Sequence, residues 1–335
     1  MKIAVLAPVA WRTPPRHYGP WEQMASNVAE GLVSLGADVT LFATSDAVTE
    51  GKLDAVVGKG YEEDRTQDAK VVECLHISNL MEKAAGFDII HNHFDFLPLT
   101  YSRLIQVPML TTIHGFSSAK ILPVYLKYNA TSHYVSISNS DRSPGLAYIA
   151  TVYNGIRAAD FSFTRQPEDY LLFFGRIHPD KGTAEAIQIA RQSKKRLLIA
   201  GIVQDQGYFD REVKPYLGDQ VEFVGAAGPE SRNELLGNAL ALLHPILFDE
   251  PFGLSVAEAM VCGTPVIAFN RGAMPELIRH EETGFLVKDI SGAVAAVQQL
   301  GCISRQQCRA WSLAQFSQQK MAADYLHLYK QILNS

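Results

Sequence analysis

No apolar run in this 335-residue chain approaches the roughly 20 residues a helix needs to cross a bilayer. The opening Met-Lys-Ile-Ala-Val-Leu-Ala-Pro has one basic residue and an apolar stretch too short for a signal sequence, so it reads as a first β-strand. Both features point to a cytoplasmic protein, with peripheral contact to a membrane surface left open. Cysteine is scarce: Cys74, Cys262, Cys302 and Cys308 include no C-x-x-C spacing, which argues against a zinc site and fits reduced, mostly buried thiols. There is no Lys/Arg-rich run, and a formal net charge of −5 gives nucleic acid no attraction. No internal repeat is visible. What is present, 47% hydrophobic and 19% charged residues, is the composition of an ordinary globular protein with enough chain for two domains.

The organisation is an alternation. Lys2–Ala7, Asp38–Ala43, Phe87–His91, Met109–His114, Tyr134–Ser138 and Tyr148–Tyr153 read as strands, with an amphipathic helix over Glu22–Leu35 ended by Gly36. Residues 50–70 are polar and read as an irregular excursion. The pattern lapses at 158–169, which reads as a linker. It then resumes with strands at Tyr170–Phe174, Arg196–Ala200, Val221–Val224, Ala241–Pro245, Pro265–Ala268 and Gly284–Val287. Such alternation predicts α/β domains with parallel, doubly wound sheets. The expected division is 1–160, 170–312, and a long helix from Leu313 to Leu333 whose apolar stripe (Phe316, Met321, Tyr325, Leu328, Tyr329, Ile332) packs back toward the N-terminal domain and fastens the two.

In doubly wound sheets ligands gather outside the carboxyl ends of strands. In the second domain one strand runs into Gly175-Arg176-Ile-His-Pro-Asp-Lys181-Gly182, two cations between a strand and a helix start, which suits a phosphate or diphosphate. Further on, Phe248-Asp-Glu250-Pro251-Phe252-Gly253-Leu254 opens a helix, with Pro251 expected in its first turn and the N–H groups of Phe252, Gly253 and Leu254 as unpaired donors. Glu250 and Glu258 bracket that start. Glu258 lies on a helix apolar nearly all round, where a carboxylate needs a polar partner. Both can accept hydroxyls of a polyol.

In the first half, His91-Asn-His93-Phe-Asp95 and His114 follow strands. H-x-H-x-D invites a metal reading, and a metal-dependent hydrolase using His91, His93 and Asp95 is an alternative function. The further His of a binuclear site is missing, so no metal is expected. The loop around Gly19 and Trp21 could hold an anion or a sugar. A non-catalytic nucleotide-sugar-binding module is a third reading.

Taken together, these residues resemble the retaining glycosyltransferases of family 4. Glu250 and Glu258 match that family's E-x7-E motif inside the run Glu-Pro-Phe-Gly-Leu-Ser-Val-Ala-Glu-Ala-Met. Gly175-Arg176 and Lys181-Gly182 match its diphosphate loop, and Asn270-Arg-Gly-Ala-Met-Pro-Glu-Leu-Ile278 its downstream segment. The resemblance implies the GT-B architecture of two facing Rossmann-like domains and transfer of a hexose from a UDP- or GDP-sugar to an acceptor hydroxyl. The acceptor would be a carbohydrate, lipid-linked or small-molecule one, and neither metal nor cofactor is implied. Arg176 and Lys181 would hold the diphosphate, Glu250 the transferred sugar and Glu258 the ribose. His114 would lie near the reacting centre, with Gly19, Trp21 and His93 on the acceptor side. One departure stands out. Members of the family it resembles that have a similar first loop commonly carry two adjacent glycines before the helix, where this chain has Gly19-Pro20-Trp21, so the acceptor pocket is expected to differ, with Trp21 available for ring stacking.

Overall fold

The computed structural model describes residues 1–16, 18–115 and 119–334. The chain forms two compact units, residues 1–155 with 318–335, and residues 156–317.

In the first unit seven strands form one parallel sheet: β1 Lys2–Leu6, β2 Asp38–Thr44, β3 Lys52–Val57, β4 Ile89–Asn92, β5 Met109–Ile113, β6 His133–Ser136 and β7 Tyr148–Thr151. Their order is β3-β2-β1-β4-β5-β6-β7, so the direction of winding reverses between β1 and β4. Both faces are covered. Ile3 and Val5 enter one core while Ala4 and Leu6 enter the other, which is why β1 is apolar without alternation.

Strand β3 corrects the expectation of an irregular stretch over 50–70. It is an edge strand paired only with β2, and Leu53 and Val56 are exposed, so no buried pattern marks it in the sequence. The helix Ala69–Lys83 after it is capped by Asp68, whose carboxylate accepts the N–H groups of Lys70 and Val71 at 2.9 and 3.2 Å.

The second unit holds β8 Tyr170–Phe174, β9 Arg196–Ala200, β10 Val221–Gly225, β11 Ala241–His244, β12 Val266–Phe269 and β13 Gly284–Val287. They are parallel in the order β10-β9-β8-β11-β12-β13. Its reversal falls between β8 and β11. The segment expected to be a linker belongs here: Thr164 N–H bonds to the carbonyl of Cys262 at 3.1 Å, and Arg305 Nε donates to the carbonyl of Thr164 at 2.7 Å.

The single helix expected from Leu313 is two, Arg305–Phe316 and Gln318–Leu333, separated by an extended Ser317. Neither proline nor glycine marks the break. Phe316 packs on Phe252 in the second unit, with centroids 5.8 Å apart. Met321, Tyr325, Leu328 and Tyr329 enter the core of the first unit beside Val28, Leu32 and Leu41. No described helix is long and apolar enough to cross a membrane.

Candidate functional site

In the second unit the loops leaving β8 and β11 lie at the reversal point, and two carboxylates and a lysine expected to act together sit on or beside them. Lys181 ends a short turn, Pro179–Lys181, and Gly182 then caps the helix Thr183–Gln192 in a left-handed conformation (φ 74°). A Cβ on Gly182 would stand 1.9 Å from the carbonyl oxygen of Pro245, so only glycine lets the two loops touch. Leu247 N–H also donates to the carbonyl of Asp180 at 2.8 Å. This clamp brings Lys181 Nζ onto Glu250 Oε2 in an ion pair whose side chains are only 13% and 14% exposed. The ring of Phe248 lies under the same ammonium at 4.8 Å.

Glu250 is held from behind as well. Its carbonyl accepts Ala273 N–H at 2.9 Å, which gives the Asn270–Ala273 turn a supporting role. Arg176 is not part of this pair; its guanidinium bonds Gln204, on the loop after β9.

The helix start differs from expectation. Gly253 (φ 95°) is the N-cap and the helix runs Leu254–Val261, so Pro251 and Phe252 lie before it rather than in its first turn. Only a residue free to take positive φ can turn the chain from Glu250 into this helix, and that sets the boundary.

Glu258 is 8% exposed and meets Arg232 Nη1 at 3.1 Å. Burial raises its pKa, Arg232 restrains the rise, and Asp160 adds to it. Arg232 and His244 are functional candidates that sequence reasoning passed over. His244 ends β11, is 5% exposed, and places Nε2 3.8 Å from Glu250 Oε2. Its position at a strand's carboxyl end was the available signal; Arg232, inside a polar helix, gave none.

In the first unit the reversal point gathers the other expected residues. Gly19 (φ 150°) caps the helix Pro20–Ser34, and a Cβ there would stand 2.9 Å from Glu22 Oε2. Glu22 is buried and accepts Trp11 N–H at 3.2 Å, and burial pushes its pKa up to about 7. Trp21 stacks on His114, with centroids 5.9 Å apart and planes 24° from parallel, so one ring face already has an internal partner. His114 Nε2 is bonded to His93 Nδ1 at 2.8 Å, and the His93 ring lies 4.0 Å from that of His91.

His91 is locked on both nitrogens, Nδ1 by Tyr329 OH at 2.6 Å and Nε2 by Thr112 Oγ1 at 2.7 Å; Thr112 in turn meets Tyr325 OH at 2.7 Å. Burial holds all three imidazoles well below their ordinary pKa, His114 at about 3. They are therefore neutral, and each nitrogen is either donor or acceptor.

The hydrolase alternative loses its ligand set on this geometry. Both His91 nitrogens are taken and the Asp95 carboxylate is bonded to Tyr125 OH. Among the described residues no group of three or more His, Cys, Asp or Glu could hold a metal.

Residues 157–300 match the sequence profile of the family described as Glycosyl transferases group 1. The protein is a glycosyltransferase, and over those residues it is similar to the group 1 family. The glycogen synthase of Mycobacterium tuberculosis is 26% identical over 350 residues, covering 87% of this chain and 84% of that one. Among solved structures, the sucrose-phosphate synthase of Thermosynechococcus elongatus superposes with a TM-score of 0.80 at 21% identity, covering 100% of this chain and 99% of that one. HepE of Anabaena, crystallised with UDP and glucose, gives 0.74 at 17% identity, covering 98% and 99%. The glycosyltransferase has the α/β GT-B class of these neighbours.

Proposed function

We propose that this glycosyltransferase moves a hexose from a nucleoside-diphosphate sugar, UDP- or GDP-linked, to an acceptor hydroxyl with retention and without a catalytic metal, in the cytoplasm. The carrying observation is the Lys181–Glu250 pair: a cation and a carboxylate, both largely buried, at the reversal point of the second sheet. A sugar diphosphate offers each its complement, phosphate oxygens to the ammonium and hydroxyls to the carboxylate. The complex of HepE with UDP and glucose supports a nucleotide-sugar donor in this fold.

In this reading the second unit holds the donor. Lys181 and Arg176 bind the diphosphate, with Gly175, Phe252, Gly253 and Leu254 beside it, while Glu258 takes the ribose and Glu250 the sugar. As the glycosidic bond breaks, positive charge grows at the anomeric carbon and negative charge on the diphosphate. Fixed cations there favour the transition state over the ground state. The acceptor oxygen attacks on the leaving-group face, and its proton passes to the departing phosphate oxygen. The first unit contributes the acceptor side through His114, His93, Trp21 and Gly19.

The test is turnover of UDP- and GDP-hexoses, by transfer or by slow hydrolysis, with and without EDTA. Glu250→Ala and Arg176→Ala are each expected to lower kcat by about 100-fold or more, while UDP or GDP raises the unfolding midpoint of the wild type. Turnover undiminished in Glu250→Ala, or abolished by EDTA, overturns the corresponding part of the reading.

A further inference from the structure

Glu250 Oε2 is a shared point. Lys181 Nζ is bonded to it, and His244 Nε2 stands 3.8 Å away on the other element of the clamp. That nitrogen is buried and has no hydrogen-bond partner, although Glu250 lies just beyond bonding distance. A buried nitrogen without a bond is uncommon, and it persists where another arrangement of the same groups completes it. The position of the imidazole is set by its backbone: His244–Pro245 is pressed onto Gly182, and Leu247 N–H is tied to Asp180. The lysine is different. Its stem is flexible, and the Phe248 ring at 4.8 Å gives the ammonium a second favourable surface as it turns.

A diphosphate competes for that ammonium with more charge than Glu250 has. Once Lys181 turns to it, the carboxylate, 14% exposed, would be left without its cation. Among the described residues, the only other polar hydrogen carrier against Oε2 is His244.

We propose that His244 takes over Glu250 when a diphosphate draws Lys181 away, so that the carboxylate keeps its orientation toward the sugar through the exchange. His244 is on this account a positioning residue, and the trigger rests on the donor assignment made above. The exchange needs the Nε2–Oε2 separation to shorten from 3.8 Å to about 2.8 Å. The two ionisable groups acting on His244 are Glu250, which favours its charged form, and Lys181, which opposes it. Burial, the largest influence, holds its pKa at about 4.

The test is histidine-selective NMR of the full chain, with the His244 resonance assigned by its loss in His244→Gln. In Lys181→Met the opposing cation is gone and Glu250 remains, so the His244 titration should climb from about 4 toward the ordinary value near about 6.5. Glu250→Gln tests the same coupling from the other side and should push the titration lower still. Saturating UDP or GDP should shift the wild type upward as Lys181→Met does.

A titration unmoved in both variants overturns the proposal. A response to Lys181→Met with none to UDP or GDP leaves the exchange standing and refutes the diphosphate as its trigger, which is a failure of the donor assignment instead.

Discussion

Two buried glutamates on helices are neutralised in different ways, and the difference has a measurable sign. Glu258 has a guanidinium at 3.1 Å. Glu22 has backbone N–H groups and, among the described residues, no cation, and burial raises its pKa from 4.5 to about 7. The folded chain therefore binds this proton more tightly than the unfolded one does. Its contribution to stability is fully present below the unfolded value and is lost as pH climbs through 7. In Glu22→Gln the loss disappears. The variant should match the wild type near pH 4 and exceed it near pH 8 by up to about 3 kcal/mol, read as the change in denaturant midpoint at the two pH values. A difference that stays constant across that range would show that Glu22 does not titrate as its burial implies. The same carboxylate lies against Gly19, so the Gly19-Pro20-Trp21 departure is built over an acidic group that the sequence did not single out.

The β8 and β11 loops act as one element because Gly182 lets them touch. In Gly182→Ala the methyl group meets the Pro245 carbonyl at 1.9 Å in a backbone held at φ 74°, so the loops must part. The expected cost is on the order of 1–3 kcal/mol, seen as a fall of several degrees in the unfolding midpoint together with weaker stabilisation by UDP or GDP. An unchanged midpoint would mean the contact is not tight in solution.

This element also shows what could be read in advance. The strands and the Lys181 and Glu250 positions were legible because buried parallel strands are continuous apolar runs and ligand groups follow their carboxyl ends. The helix boundary at Leu254 was misplaced because Pro251 fits a first turn as well as the loop before one, and the left-handed Gly253 decides between them. The edge strand β3 was missed because an edge need not bury alternate residues, and the break at Ser317 because packing rather than composition makes it. His244 could have been found at its strand end; Arg232 becomes visible only once its helix is folded against Glu258.

At the scale of the molecule, the second unit is one continuous piece of chain and the first is not. Residues 156–317 have their own sheet, and the Arg305 guanidinium bonds the carbonyls of Thr164, Gly237 and Ala239 within it. Expressed alone, this segment should fold cooperatively and, on the donor assignment, be stabilised by UDP or GDP. A chain ended at Ser317 should keep hydrogen-exchange protection in residues 156–317 and lose it in residues 1–155, whose core lacks Met321, Tyr325, Leu328 and Tyr329. Protection retained in both units would show that the last helix is dispensable.

The same discontinuity orders events on the ribosome. The N-terminal sheet emerges first but cannot close its core until the helix Gln318–Leu333 is made, and at cellular elongation rates that leaves it open for roughly ten to thirty seconds. Through that interval the half-finished sheet exposes apolar surface to chaperones and to other nascent chains. The unit made second is the first to finish, and the helix Gln318–Leu333 is the one that ends the exposure.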